Sequence, residues 1–182
     1  TNLETVEVKS NITTIANYAF ENCESLSHIS LGTELTTIGC AAFCNSGLIE
    51  ITIPESVTNW NYDRDKKSHA FVDCDDLKKV VIKSKIVPVR GFESCNTLER
   101  VELGEVTVGE GAFSYCDSLT DVVLGMNTHT IGAYAFSNNV NLERVEVQSN
   151  LEYIYDSAFI NCKKLTNIDL GNRLLHIGSH VF

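Results

Sequence analysis

No apolar run in this chain approaches the roughly 20 residues of a membrane-spanning helix, and nothing in it resembles a signal peptide. Basic residues are scarce. Fourteen Lys and Arg stand against 24 Asp and Glu, a formal charge of -10. That balance argues against nucleic acid as a partner, because phosphate binding wants a basic surface. Seven cysteines are present, but no C-x2-C pair is among them, so the ligand spacing of a zinc site is missing. The five histidines (His28, His69, His129, His176, His180) recur at no fixed spacing from a nucleophile, and no catalytic constellation is visible. The acidic run Asp73-Cys74-Asp75-Asp76 lacks the ligand spacing of a calcium loop and reads as a solvated turn. Neither a metal nor any other cofactor is expected. The only N-glycosylation sequon, Asn11-Ile12-Thr13, matters only in a secreting eukaryote.

What the chain does contain is a repeat. Ser157-Ala158-Phe159-Ile160-Asn161-Cys162-Lys163-Lys164-Leu165 shows its elements: a small residue, a Phe, a Cys or similar group three further on, and a Leu after another three. The Phe/Leu pairs are Phe20/Leu26, Phe43/Leu48, Phe71/Leu77, Phe92/Leu98, Phe113/Leu119, Phe136/Leu142 and Phe159/Leu165, with Phe182 closing the series. The protein has eight Phe, so all of them fall in this one column. Aligned on Leu, rungs begin at Leu3, Leu26, Leu48, Leu77, Leu98, Leu119, Leu142 and Leu165, with lengths of 23, 22, 29, 21, 21, 23 and 23 before the last. Residues 1–182 read as a single array. Because it opens at Thr1 and stops at Phe182, we expect a slice of a longer one, for whose parent the missing targeting signals say nothing.

Two aliphatic columns follow each Leu. Three residues on stand Val6, Ile29, Ile51, Val80, Val101, Val122, Val145 and Ile168, and five on stand Val8, Leu31, Ile53, Ile82, Leu103, Leu124, Val147 and Leu170. Apolar-x-apolar alternation rich in β-branched residues predicts a short strand with one buried face. Repeated in one direction, such strands stack as a parallel sheet, each rung burying what its neighbour cannot bury alone. Eight rungs at about 4.8 Å give a sheet roughly 38 Å long. The return half carries Ile15, Ile38, Trp60, Val87, Val108, Ile131, Ile154 and Ile177, followed by the small-Phe pair. Segments such as Asn17-Tyr18-Ala19-Phe20-Glu21-Asn22 are too short for an α-helix, and one turn of 3₁₀ helix is expected there. Ser84, Glu105 and Thr128 interrupt an apolar return column and put the regularity of rungs 4 to 6 in question.

The cysteines belong to the same pattern. Cys23, Cys74, Cys95, Cys116 and Cys162 share the position three after the Phe, where Ser46 and Asn139 stand in other rungs. Interchange with Ser and Asn points to a small buried polar group and free thiols rather than a disulfide framework.

The unit L-x-x-I-x-I-P-x-x-V-x-x-I-G-x-x-A-F-x-x-C-x-x resembles the BspA-like, or Treponema-type, leucine-rich repeat. It is seen best in Leu48-Ile49-Glu50-Ile51-Thr52-Ile53-Pro54-Glu55-Ser56-Val57 and Leu35-Thr36-Thr37-Ile38-Gly39-Cys40-Ala41-Ala42-Phe43. The resemblance covers all 182 residues, with Pro54 the only Pro at its motif position. It implies a leucine-rich-repeat solenoid, β-dominated, on a cell-surface or secreted protein used for adhesion and recognition. We therefore expect a non-enzymatic module binding a host or matrix protein or an acidic glycan. A structural spacer with no ligand of its own is the alternative.

Side-chain alternation puts Thr5, His28, Glu50, Lys79, Arg100, Asp121, Arg144 and Asn167 on the concave sheet face, with Glu7, Ser30, Thr52, Val81, Glu102, Val123, Glu146 and Asp169 beside them. Arg100, Asp121 and Arg144 alternate in sign and should pair with one another. Six extra residues lie between Trp60 and Phe71 in rung 3, and insertions in repeat proteins tend to carry recognition. Residues 64 to 100 carry a net charge of +3 while the remainder carries -13. We therefore place the candidate site at rungs 3 and 4, on Tyr62, Arg64, Lys66 and Lys67 of the insertion with Lys79, Lys83 and Lys85 of the next strand.

Overall fold

A computed structural model describes residues 2–9, 11–61, 69–148 and 151–182. The aliphatic columns form seven strands: β1 (Thr5–Glu7), β3 (His28–Ser30), β5 (Glu50–Ile53), β7 (Lys79–Ile82), β9 (Arg100–Leu103), β11 (Asp121–Leu124) and β13 (Arg144–Val147). The return halves form eight two-residue strands: β2 (Thr14–Ile15), β4 (Thr37–Ile38), β6 (Asn59–Trp60), β8 (Ile86–Val87), β10 (Thr107–Val108), β12 (Thr130–Ile131), β14 (Tyr153–Ile154) and β15 (His176–Ile177). All ladders are parallel, and their register matches the Leu alignment even across the 29-residue rung, where Glu50 lies beside Lys79. The chain is a parallel-strand solenoid. Rung 8 departs from the expected eight: only its return strand forms among the described residues. Leu165, Ile168 and Leu170 stay half-buried there, having a rung on one side only.

The core is the set of columns. Phe43, Phe71, Phe92, Phe113, Phe136 and Phe159 are at most 1% exposed. Their rings run in one offset stack, with centroids 4.7 to 5.4 Å apart. Phe20 continues the stack but is only partly buried, and Phe182 is 59% exposed against Phe159. The small residue before each Phe keeps the adjoining turn thin. At Gly91 a Cβ would lie 2.6 Å from Pro88 Cγ, so no side chain fits beside that proline. Rungs 4 to 6 are regular after all. Ser84 and Thr128 are fully buried with their hydroxyls donating to Ile86 O and Gly104 O, and Val106 occupies the core where Glu105 turns out to solvent.

The small-Phe segments are not 3₁₀ helix; among the described residues they are runs of overlapping turns. Only alternate N–H groups bond within the rung: Ala19 N to Ala16 O, Glu21 N to Tyr18 O, and Cys23 N to Phe20 O. The ones between donate to the next rung: Tyr18 N to Cys40 O, Phe20 N to Ala42 O, and Asn22 N to Cys44 O. A 3₁₀ helix would spend every N–H internally, but the neighbouring rung offers carbonyls that these turns use instead. The geometry needs left-handed residues two before and two after the Phe. Among the described residues, the 13 non-glycine residues with positive φ all fall in those two columns, including Tyr18, Asn22, Asn45, Ser94, Tyr134 and Asn161.

Two breaks divide the ladders. The long strands form separate sheets β1-β3 and β5 to β13, while the short ones divide between β6 and β8. At the first break stands Pro54. Lys83, Gly104 and Gly125, its counterparts in later rungs, donate to Ile53 O, Ile82 O and Leu103 O at 2.9, 2.8 and 2.7 Å. Proline has no N–H to give Leu31. The second break coincides with the rung-3 insertion. Rung 3 thus joins the later rungs on one face and the earlier ones on the other, and the Phe stack crosses both breaks.

Candidate functional site

The long-strand face is an ordered row of charges. Register puts Glu50, Lys79, Arg100, Asp121 and Arg144 in one line and Thr52, Val81, Glu102, Val123 and Glu146 in the next. Arg144 Nη2 lies 2.6 Å and Arg100 Nη1 3.9 Å from Asp121 Oδ1, the pairing expected from their alternating signs. Arg100 Nε also donates to Glu102 Oε1 at 2.9 Å, and Lys79 Nζ approaches the same oxygen at 3.0 Å. Hydrogen bonds from Arg100 and Lys79 hold the Glu102 carboxyl below its ordinary value. Partial burial pushes Asp121 up, but hydrogen bonds from Arg144 and Thr120 outweigh it and the net shift is downward. These groups are partly exposed, and such pairs contribute about 0–1 kcal/mol each.

Beside this network the β3/β5 break opens a groove of about 430 Å³, lined by His28, Ser30, Glu50, Thr52, Lys79 and Lys83 among others. Ser27 Oγ and His28 Nδ1 are 2.9 Å apart at its rim. A second groove, about 480 Å³, lies over Val81, Arg100, Glu102 and Val123 and shares Lys83 with the first. Lys83 is exposed on the ridge between them and makes no ion pair with the described residues.

The structure thus brings Lys79 and Lys83 to one groove. Lys79 is already engaged by Glu102, and Lys85 lies exposed just before β8, outside the groove lining. Tyr62, Arg64, Lys66 and Lys67 lie outside the described residues. The groove residues His28 and Ser30, expected on the concave face, and Pro54, the only Pro at its motif position, stand outside the candidate site drawn from sequence, although a Pro at a position that elsewhere supplies an N–H marks the break. His69, the one buried histidine, has its pKa lowered to about 4 by burial and by Arg90. Among the described residues no three His, Cys, Asp or Glu come together as a metal site would require. No helix of the described residues is long and apolar enough to cross a membrane.

Comparison with known proteins agrees with this geometry. The family model for the BspA type leucine rich repeat region matches in six copies, over residues 1–107 and 64–182. A leucine-rich repeat protein from Bacteroides ovatus is 27% identical with a TM-score of 0.64, over 90% of this chain and 48% of that one. The leucine rich repeat protein of T. pallidum is 23% identical with a TM-score of 0.74, over 99% of this chain and 87% of that one. The chain therefore spans about half the length of the B. ovatus protein. No curated protein matches it.

Proposed function

Because the chain belongs to the BspA-type leucine-rich-repeat family, we propose that it is a non-enzymatic binding module of a surface or secreted, adhesin-like protein. Its partner is a host or matrix protein or an acidic glycan, met on the long-strand face of rungs 3 and 4. The observation that carries this reading is Lys83, an exposed ammonium with no carboxylate on it among the described residues, standing between two open grooves on a protein of net charge -10. A single-sign spot on an oppositely charged body steers an anionic ligand to itself while the remaining surface repels it. Lys79 lines the same groove, and the proposed site extends to Lys85 and to Tyr62, Arg64, Lys66 and Lys67 of the insertion on the strength of their sequence positions. The Arg100–Asp121–Arg144 stretch is neutralised internally and serves as scaffold.

The test is capture of an immobilised heparin fragment across a salt series. Charge reversal at Lys83, Lys66 and Lys67 should weaken capture and flatten its salt dependence. Unchanged capture by that variant would move the site elsewhere. Absence of capture, extended to acidic proteins, would favour the spacer reading.

A further inference from the structure

On the opposite side of the coil, the turn strip of rungs 4 to 7 holds a third groove, of about 410 Å³. Its shape comes from one missing side chain. Arg90, Gly111 and Tyr134 occupy the same column, two before the Phe, in three successive rungs. Gly111 has no side chain, and the Arg90 side chain leans over it, its Cγ 3.2 Å from where a Cβ would stand, while the Tyr134 ring lines the groove beyond. Tyr115, from the column two after the Phe, forms the facing wall, with Asn138 and Asn161 extending the same side.

Three properties of the groove point the same way. Tyr115 and Tyr134 are 51% and 49% exposed, and neither phenol has a hydrogen-bond partner among the described residues. Both sit in the left-handed region, at φ of 59° and 57°, and Tyr134 shares its column with Tyr18, Arg90 and His180. Tyr115 stands where the other rungs use Asn, Asp or Ser, and a bulky residue there costs about 1 kcal/mol or more, so folding alone disfavours its ring. Along the wall Asn161 Nδ2 donates to Asn138 Oδ1 at 2.8 Å, and Asn138 Nδ2 to Ser137 Oγ at 3.3 Å, a linked amide ladder. The charge present disfavours anions: Arg90 is held by Glu93 at 3.7 Å, and Glu110 stands exposed at the rim.

We propose that this groove is a subsite for one pyranose ring of a neutral glycan. Tyr134 and Tyr115 cover the apolar C–H faces of the sugar, and Asn138 and Asn161 meet its hydroxyls. The site is independent of Lys83 and of the anionic partner proposed for the long-strand face.

Saturation-transfer NMR and titration with cellotetraose and chitotetraose test it, using the wild-type chain and Tyr134→Asn, Tyr115→Asn and Gly111→Asn variants. Asparagine is at home in the left-handed region, so Tyr134→Asn and Tyr115→Asn keep or raise their thermal midpoint, whereas Gly111→Asn crowds Arg90 and its binding is read only below its own midpoint. Each should weaken binding by about tenfold or more, the size of a lost aromatic contact or a blocked gap. Charge reversal at Lys83 should leave it unchanged. No saturation transfer from either oligosaccharide to wild type at millimolar concentration would overturn the proposal, as would binding that survives all three substitutions.

Discussion

The thiol of Cys116 donates to the carbonyl oxygen of Phe92, 3.2 Å away in the preceding rung. Cys74, Cys95 and Cys162 repeat the contact with Phe43, Phe71 and Phe136, and Asn139 makes it to Phe113 with its amide. The position after the Phe therefore requires a compact donor, which is why Cys, Ser and Asn interchange there. No disulfide joins any of the seven cysteines. Iodoacetamide should label the four rung thiols quickly under denaturation and very slowly in the native protein. Intact Cys74–Cys95 or Cys95–Cys116 bridges under non-reducing denaturation would refute this.

The same burial makes stability fall in alkali. Burial raises Cys74 and Cys116 to about 12 from an ordinary 9.0, and Cys162 to about 11. Unfolded thiols ionise above 9.0 while native ones keep their protons, so the unfolded state gains on rising pH through that window. Each thiol should subtract up to about 1.4 kcal/mol per pH unit there. Urea midpoints between pH 8 and pH 11 measure it, and Cys116→Ser should flatten the slope.

The ring stack predicts unequal costs along its length. Phe113 is fully buried between Phe92 and Phe136, and Phe113→Ala should cost about 3–5 kcal/mol in urea unfolding. Phe182 touches one ring and is largely exposed, so Phe182→Ala should cost no more than about 1.5 kcal/mol. Equal losses would contradict the stacked core.

Acid should act through the long-strand network in the opposite sense. Glu102 and Asp121 are held below their ordinary 4.5 and 3.8, so their contribution is present above those values and is lost as pH falls through the lower native ones. Thermal midpoints between pH 6 and pH 3 should fall less steeply for Arg100→Ala than for wild type, and 1 M salt should narrow the difference. A steeper fall in the variant would contradict the network.

Ser94, at φ 60°, separates overlapping turns from 3₁₀ helix. Ser94→Gly should be more stable than Ser94→Val by about 1–2 kcal/mol, since only glycine is free of Cβ strain there. Equal stability would favour a helical φ.

The apolar columns were legible because burial leaves few residue types able to occupy them, and counting from Leu48 and Leu77 gave the register of β5 on β7 directly. The turn strip was not. Bonds three residues apart suit a 3₁₀ helix and a chain of turns alike, and only Asn22, Asn45, Asn138 and Asn161 in one column hinted at left-handed backbone. Of the site, Lys79 and Lys83 came together, but the hold of Glu102 on Lys79 is diagonal and invisible to column counting. Tyr115 and Tyr134 escaped notice because they belong to different columns and meet only when adjacent rungs stack.

The interrung amides of the turn strip all face one way. Phe92, Phe113 and Phe136 each aim an N–H at the following rung, as do the left-handed residues on either side of them, and Ser157 and Phe159 do the same. Peptide dipoles of about 3.5 D in line add rather than cancel, as they do along a helix axis. Here the positive pole faces the higher-numbered rungs, the reverse of a helix read in chain direction. The solenoid is thus polar along its length, and a coil laid on it upside down would set donor against donor. Lengthening such a rod, by further coils or by a second molecule docking on its end, is a one-way process.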